Sequence, residues 1–405
     1  MKYKDKNMLI TGISGFVGPY LAEDLLKKGA NVYGLIKKRA DGTIPKNLVD
    51  KGLFGKITLI EGDITDITSL AQALDISEPD CVFHLASQSF VQRSFTHPLE
   101  TAEINSIGTV NLLEAIRIKD YDPVFVFAGS SEEYGLVFSS EDQYEKMKES
   151  GFEKPERIPE VPIKETNPLR PMSPYAISKV YGDYLTRNYY HSYGMKTIVS
   201  RAFNHEGASR GIMFVTSVIT NQVMKLKFEE TDRIKIGNVN AFRDWSHVKD
   251  MVEGYILLSE NGKYGNVYNM GSTRTNSVLS YVLLSLEKAG WEIDKIETFS
   301  GKKVILPTER DCSEIFGIEF EKTKLDKMML VDGLNFNLDD GGIWVHTSVG
   351  KIKVEFDEKR FRPADVPILI SDSQKIKKLG FRINYKIDDI VKDQLNYFMK
   401  KENRV

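Results

Sequence analysis

The sequence predicts an α/β fold, a doubly wound parallel sheet joined to a smaller, discontinuous α/β lobe. Three observations carry this expectation. Strand-like apolar runs alternate with amphipathic helical stretches over the first two-thirds of the chain. A glycine-rich turn follows the first of these runs and opens a helix. The chain has 405 residues, 41% of them hydrophobic, enough for a sizeable core in each of two lobes.

Taken in order, the expected strands are residues 7–11, 31–36, 57–61, 81–85, 124–128 and 197–202, with 266–270 returning late to the same sheet. Helical periodicity marks residues 19–28, 68–74 and 101–118 between them. The expected division is a first domain of Rossmann type over 1–202 and 241–270, and a second lobe over 203–240 and 271–405. Two stretches read as insertions. Residues 136–164 are strongly charged, which suggests a solvated helix that acts either as a lid or as a mere excursion. Residues 301–359 contain alternating runs at 343–347 and 351–356 around a turn at Ser348-Val349-Gly350.

Bulk composition narrows the function classes. Lys plus Arg total 55 and Asp plus Glu 57, so a net charge of −2 gives no electrostatic case for nucleic acid or an anionic membrane. Only two cysteines occur, Cys81 and Cys312, so neither a disulfide framework nor a cysteine metal cluster is expected. No apolar run approaches the roughly 20 residues needed to span a bilayer. The start of the chain leaves no room for a signal-peptide core, so the expectation is a cytoplasmic enzyme of small molecules, without a metal.

The turn Gly12-Ile13-Ser14-Gly15-Phe16-Val17-Gly18 lies where a dinucleotide pyrophosphate meets free N–H groups at a helix start. The second strand ends in Lys37-Lys38-Arg39, cations that suit the 2′-phosphate of NADP rather than NAD. A solvated basic loop is the bland reading, and Asp41 leaves NAD open. Asp63 is expected to accept from the adenine amine or else to cap its own loop. In Ser173-Pro174-Tyr175-Ala176-Ile177-Ser178-Lys179, Tyr175 and Lys179 sit four apart at a helix start and share a face. The ammonium should lower the phenol's pKa and make it a proton acceptor, with Ser130 nearby at a strand end. His84, between apolar neighbours, reads as a core histidine, and Trp245 as packing.

These motifs resemble the extended branch of the short-chain dehydrogenase/reductase superfamily, and within it the nucleotide-sugar 4,6-dehydratases of the GDP-mannose type. Further segments carry the resemblance: His84-Leu85-Ala86-Ser87-Gln88-Ser89-Phe90-Val91, Ser130-Ser131-Glu132-Glu133-Tyr134-Gly135, Phe203-Asn204-His205-Glu206, Arg243-Asp244-Trp245-Ser246-His247 and Arg362-Pro363-Ala364. The resemblance implies catalytic roles for Ser130, Glu132, Tyr175 and Lys179. It implies cofactor contacts from Phe16, Val17, Ile64, Leu85, Ala86, Ser87 and Phe203, and substrate contacts from Gln88, Ser89 and Asn204. Arg243 and Arg362 suit a substrate diphosphate, with structural salt bridges as the alternative. Glu132 separates dehydratases from the reductases and 4-epimerases that resemble them, because removal of the C5 proton needs its own base. Glu133 departs from the dehydratase pattern and is similar to the 4-keto-6-deoxysugar reductases. Ser217 and Val218 stand where the GDP-mannose enzymes carry Arg-Lys, which leaves the base and the sugar open. The resembling enzymes pair through the Tyr-Lys helix, and Tyr181, Tyr184, Leu185, Tyr189 and Tyr190 on that helix point to a homodimer or homotetramer.

Overall fold

The computed structural model describes residues 3–37, 42–361 and 365–405. Seven parallel strands form the central sheet: β1 (Asn7–Thr11), β2 (Asn31–Ile36), β3 (Thr58–Glu61), β4 (Cys81–His84), β5 (Val124–Ser130), β6 (Thr197–Ala202) and β7 (Val267–Met270). Their spatial order is β3-β2-β1-β4-β5-β6-β7. The chain therefore reverses its winding beside β1, which puts a crevice at the carboxyl ends of β1 and β4. β1, β4 and β6 are almost wholly buried, as strands covered on both faces must be. Leu9, Val82, Phe125 and Val199 pack into the cluster on one face, and Ile10, Phe83, Val126 and Ile198 into that on the other.

The expected helix at 101–118 is interrupted. Helical turns at Pro98–Ala102 and Gly108–Ile118 flank a π turn at Glu103–Ile107. Within that turn the Asn105 side chain exchanges hydrogen bonds with the Gln88 backbone, accepting at 2.7 Å and donating at 3.0 Å. Such a π turn re-aims a side chain that regular helix would leave elsewhere.

A second sheet has five strands in the order Lys303–Ile305, Ile293–Thr298, Gly342–Thr347, Gly350–Phe356 and Arg233–Ile236. The hairpin at 343–356 forms as the alternation suggested, closed by the pair Thr347 and Gly350. The 301–359 stretch is more than an added loop, since it supplies three of these five strands. Val304, Ile343, Val345, Ile352 and Val354 join the core under the Val278–Ala289 and Ile387–Met399 helices.

Residues 136–164 are anchored at both ends. Leu136, Val137, Phe138, Val161 and Ile163 are buried, and Arg170 holds the buried Glu160 through a 2.8 Å ion pair. Gly135 adopts φ +54°, and a Cβ there would stand 1.8 Å from the Arg170 carbonyl oxygen, so the turn needs glycine. Only the middle, with the helix Glu141–Met147, is solvated. The packing also crosses the expected division: Tyr134, Val137, Val161 and Ile163 belong to the second lobe's core, while Ile376 and Phe381 pack onto the central sheet.

Candidate active site

A cavity of about 1480 Å³ opens at the carboxyl ends of the strands, between the central sheet and the second lobe. Of the expected site residues, Gly12, Gly15, Phe16, Val17, Gly18, Lys37, Ile64, Leu85, Ala86 and Ser87 line its sheet side. Ser130, Glu132, Tyr175 and Lys179 line it between the lobes, and Gln88, Ser89, Phe203, Asn204 and Arg243 line it beyond them. Asp63 does not line it. Lys38, Arg39 and Arg362 lie outside the described residues. No residue of 136–164 reaches the cavity, so this arrangement gives that segment no lid position.

The glycine turn is tight because backbone passes backbone. A Cβ on Gly12, at φ +74°, would sit 2.8 Å from the Ala86 nitrogen, and one on Gly18 would sit 2.6 Å from the Ile13 Cα. Phe16 begins the helix Val17–Lys27, whose first N–H groups face the cavity end where an anionic dinucleotide would sit. Arg210, which the sequence motifs did not single out, strengthens the fit. Its guanidinium lies 3.5 Å from the Phe214 ring centroid and 5.0 Å from that of Phe16, and its buried Nε has no hydrogen-bond partner. That Nε stands 3.4 Å from Glu206 Oε2, an ion pair without a formed hydrogen bond. A guanidinium that lines the cavity beside the glycine turn suits a phosphate or ribose oxygen. Asp63 takes its loop-capping role, accepting from the Thr65 backbone and hydroxyl, and its other oxygen pairs with Lys37 at 2.8 Å. Burial acts against that carboxylate, but Lys37 and Thr65 prevail and hold its pKa below the ordinary value.

The expected acid–base group is built from two elements. Ser173 caps the helix Pro174–Tyr193, accepting from the Ala176 N–H at 3.1 Å, and Pro174 takes the first helical position. Tyr175 and Lys179 thereby face inward on one side, toward the end of β5. There the Ser130 hydroxyl accepts from the Glu132 N–H at 3.2 Å. Lys179 is buried, donates to the Ala128 carbonyl at 2.8 Å, and lies 5.9 Å from the Tyr175 ring centroid. Burial draws its pKa down from 10.5 to about 8, against the opposing pull of Glu133. The expected lowering of the Tyr175 pKa is not what this arrangement gives. Burial raises it, Glu132 and Glu133 add to the rise, and Ser130 and Arg210, which favour the phenolate, do not outweigh them.

Several expected ligands already have protein partners. Arg243 donates to the Val366 carbonyl at 2.6 Å and pairs with Asp365 at 2.8 Å, the structural alternative for this residue. Gln88 spends its amide on the Phe90 N–H and the Thr101 hydroxyl. Asn204 differs, for its buried Oδ1 has no partner and is open to a ligand donor. His84 is a core histidine, bonded to Thr11 and Thr109 and kept neutral by burial at a pKa of about 3. Trp245 packs on Tyr281. The Ser217 hydroxyl bonds the Arg210 carbonyl, while Val218 lines the cavity. Lys225, Lys359 and Arg360 also line the cavity, the last two from the stretch the sequence set apart as an insertion and its edge. They carried no local motif and could be found only by folding the chain.

Residues 8–271 match the model of the NAD dependent epimerase/dehydratase family. The chain belongs to this family. It is 34% identical to a GDP-mannose 4,6-dehydratase of Yersinia enterocolitica, over 93% of this chain and 89% of that protein. It is 32% identical to one of Vibrio cholerae, over 98% and 95%. In fold it is similar to the UDP-glucose 4-epimerase of Bifidobacterium longum in complex with NAD+ and UDP, with a TM-score of 0.69 and 20% identity over 98% of this chain and 99% of that one. The RMD protein of Pseudomonas aeruginosa, solved with NADPH, gives a TM-score of 0.66 at 20% identity over 97% and 99%. Among the described residues no helix is long and apolar enough to cross a membrane, and no cluster of side chains could hold a metal ion.

Proposed function

We propose that this chain is a nucleotide-sugar 4,6-dehydratase, acting with NADP on GDP-mannose or a closely similar nucleotide-sugar. The observation that carries the reading is the convergence of Ser130, Glu132, Tyr175 and Lys179 on one cavity that begins at the glycine turn. Relatives of that name, matched over nearly the whole chain, support it. The glycine turn and Arg210 would hold the cofactor's phosphates, and Lys37, Lys38 and Arg39 favour NADP. When bound, the nicotinamide accepts hydride from C4 of the sugar and returns it to C6.

Tyr175 takes the proton of the C4 hydroxyl, with the Ser130 hydroxyl steadying the same oxygen. Arg210 and Ser130 work against the burial that would keep the phenol protonated. The C4 ketone acidifies the C5 proton. Glu132 removes that proton and passes it to the C6 hydroxyl, which leaves as water. The proton first taken from the C4 hydroxyl balances the one restored to C5, so the net change is loss of one water and no net oxidation. A panel of GDP-, UDP-, CDP- and dTDP-sugars, read by product mass, tests the reading. Loss of one water from the GDP-hexose is expected. An unchanged mass marks a 4-epimerase, and a gain of two hydrogens with a 4-keto substrate marks a reductase.

The same reading includes a homodimer or higher assembly, in the cytoplasm. Ile177, Tyr181 and Tyr184 are exposed along one side of the Pro174–Tyr193 helix, and exposed Leu99 and Ile107 lie on the neighbouring helical segment. An apolar face of this kind is covered most simply by its own symmetry mate. Tyr189 is not part of it, being buried with its hydroxyl on Glu114.

A further inference from the structure

Directly beneath the Ser130–Glu132 turn lies a buried ionic group that the reaction described above does not use. Glu133 is fully buried, and its Oε1 accepts the Ser130 backbone N–H at 2.7 Å. Its Oε2 stands 3.2 Å from the Arg201 Nε on β6, an ion pair without a hydrogen bond. That same Nε donates to Asp183 at 2.8 Å, and Asp183 also receives Arg187. Asp183 lies four residues beyond Lys179, which lies four beyond Tyr175, so all three fall in a row on one side of the Pro174–Tyr193 helix. Asp183 is near enough for its charge to oppose a charge on Glu133. Space around Glu133 is filled, for a Cβ on Gly129 would meet its Oε1 at 2.6 Å.

The two halves of the catalytic group thus come from different elements, and this bracket is where the structure ties them together. Ser130 and Glu132 ride on the turn after β5, Tyr175 and Lys179 on the helix. We propose that Glu133 is a positioning residue: through Ser130 N–H on one side and Arg201 with Asp183 on the other, it fixes the turn that carries Ser130 and Glu132 against the helix that carries Tyr175 and Lys179. The inference rests on the dehydratase reading. It explains why a carboxyl group is kept in a place where burial and a second carboxylate both oppose its charge. An apolar side chain would fill the same space more cheaply, but would leave the Ser130 N–H without a partner and the turn free to shift.

Three variants test it: Glu133→Met, which keeps the bulk and removes the acceptor; Glu133→Gln, whose amide oxygen still accepts from Ser130 while its N–H₂ replaces the Oε2 beside Arg201 and loses that ion pair; and Glu133→Asp, which is too short to reach both partners. Because a misplacement of about 1 Å costs on the order of a hundredfold in rate, kcat of the Met variant should fall by about ten- to a hundredfold. KM should stay within about threefold, since the residues that hold the ligand are unchanged, and the Gln variant, which keeps the Ser130 bond alone, should have a kcat between those of Met and wild type. A Met variant with wild-type kcat, a loss carried by KM, or a Gln variant no better than Met would overturn the proposal. Should the Met variant fail to fold, the Asp variant decides: reduced kcat at unchanged KM supports positioning, and unchanged kcat overturns it. Ratios are taken on whichever nucleotide-sugar the wild type turns over. A wild type that releases no dehydrated sugar then refutes the dehydratase reading and still leaves the Glu133 comparison readable.

Discussion

Lys179 is held in its site at a cost to folding, and Lys179→Met measures that cost. The ammonium is buried and its pKa is drawn from 10.5 down to about 8. At about 1.4 kcal/mol per pKa unit, the charged form at neutral pH is disfavoured by about 3 kcal/mol relative to the unfolded chain. Methionine removes that penalty but also the hydrogen bond to the Ala128 carbonyl, which is worth about 1.5–3 kcal/mol for a charged donor. The balance is a modest gain, about 1 kcal/mol at pH 7, or about 1 °C in Tm for a chain of this size. The pH dependence is the sharper signature. The folded pKa lies below the unfolded one, so the penalty is fully present below pH 8 and is lost as pH rises through 10.5. The Met variant's advantage should therefore shrink above pH 8 and reverse at about pH 9, until above 10.5 only the missing hydrogen bond remains. Calorimetry of the ligand-free proteins across that range reads it directly. A Tm difference that does not change with pH would refute the reasoning, whatever its sign.

Three more outcomes are expected. Glu132→Gln should permit oxidation at C4 and block water loss, so the near-ultraviolet absorbance of reduced nicotinamide should appear with substrate and persist; release of dehydrated sugar at a near-normal rate would contradict this. Changing Lys37, Lys38 and Arg39 to Ala should weaken NADP by about 1–3 kcal/mol for each well-formed charge pair with the 2′-phosphate and leave NAD nearly unchanged; titration calorimetry with both cofactors checks it, and equal weakening would count against NADP. Replacing exposed Tyr181 and Tyr184 by Glu should shift sedimentation from dimer to monomer, whereas a wild-type monomer at micromolar concentration would refute the paired helix.

What could be read from the chain was local. The run into Gly12, the helix start at Ser173-Pro174-Tyr175 and the four-residue step from Tyr175 to Lys179 each sit within one strand–turn–helix or one helical turn, where sequence spacing determines geometry. The hairpin at 343–356 was legible from alternation, but not its membership of a sheet. The parallel pairing of Gly350–Phe356 with Arg233–Ile236 joins segments far apart in the chain, and nothing local encodes such a register. The π turn at Glu103–Ile107 escaped for a related reason: the Asn105 bonds to Gln88 override helical periodicity. Arg210 escaped because its role comes from stacking between Phe16 and Phe214, which only the folded chain brings together. The Tyr175 pKa was misjudged because spacing reveals the neighbouring charge and conceals the burial that outweighs it.

The central claim is that hydride leaves C4 and returns, within one active site, to C6 of the same sugar. GDP-mannose carrying deuterium at C4 tests it most directly, with the product examined by NMR. The expected result is a 4-keto-6-deoxy sugar with the deuterium in its C6 methyl group, formed with a catalytic amount of NADP. Deuterium retained at C4, or passed irreversibly to the cofactor pool, would contradict the account.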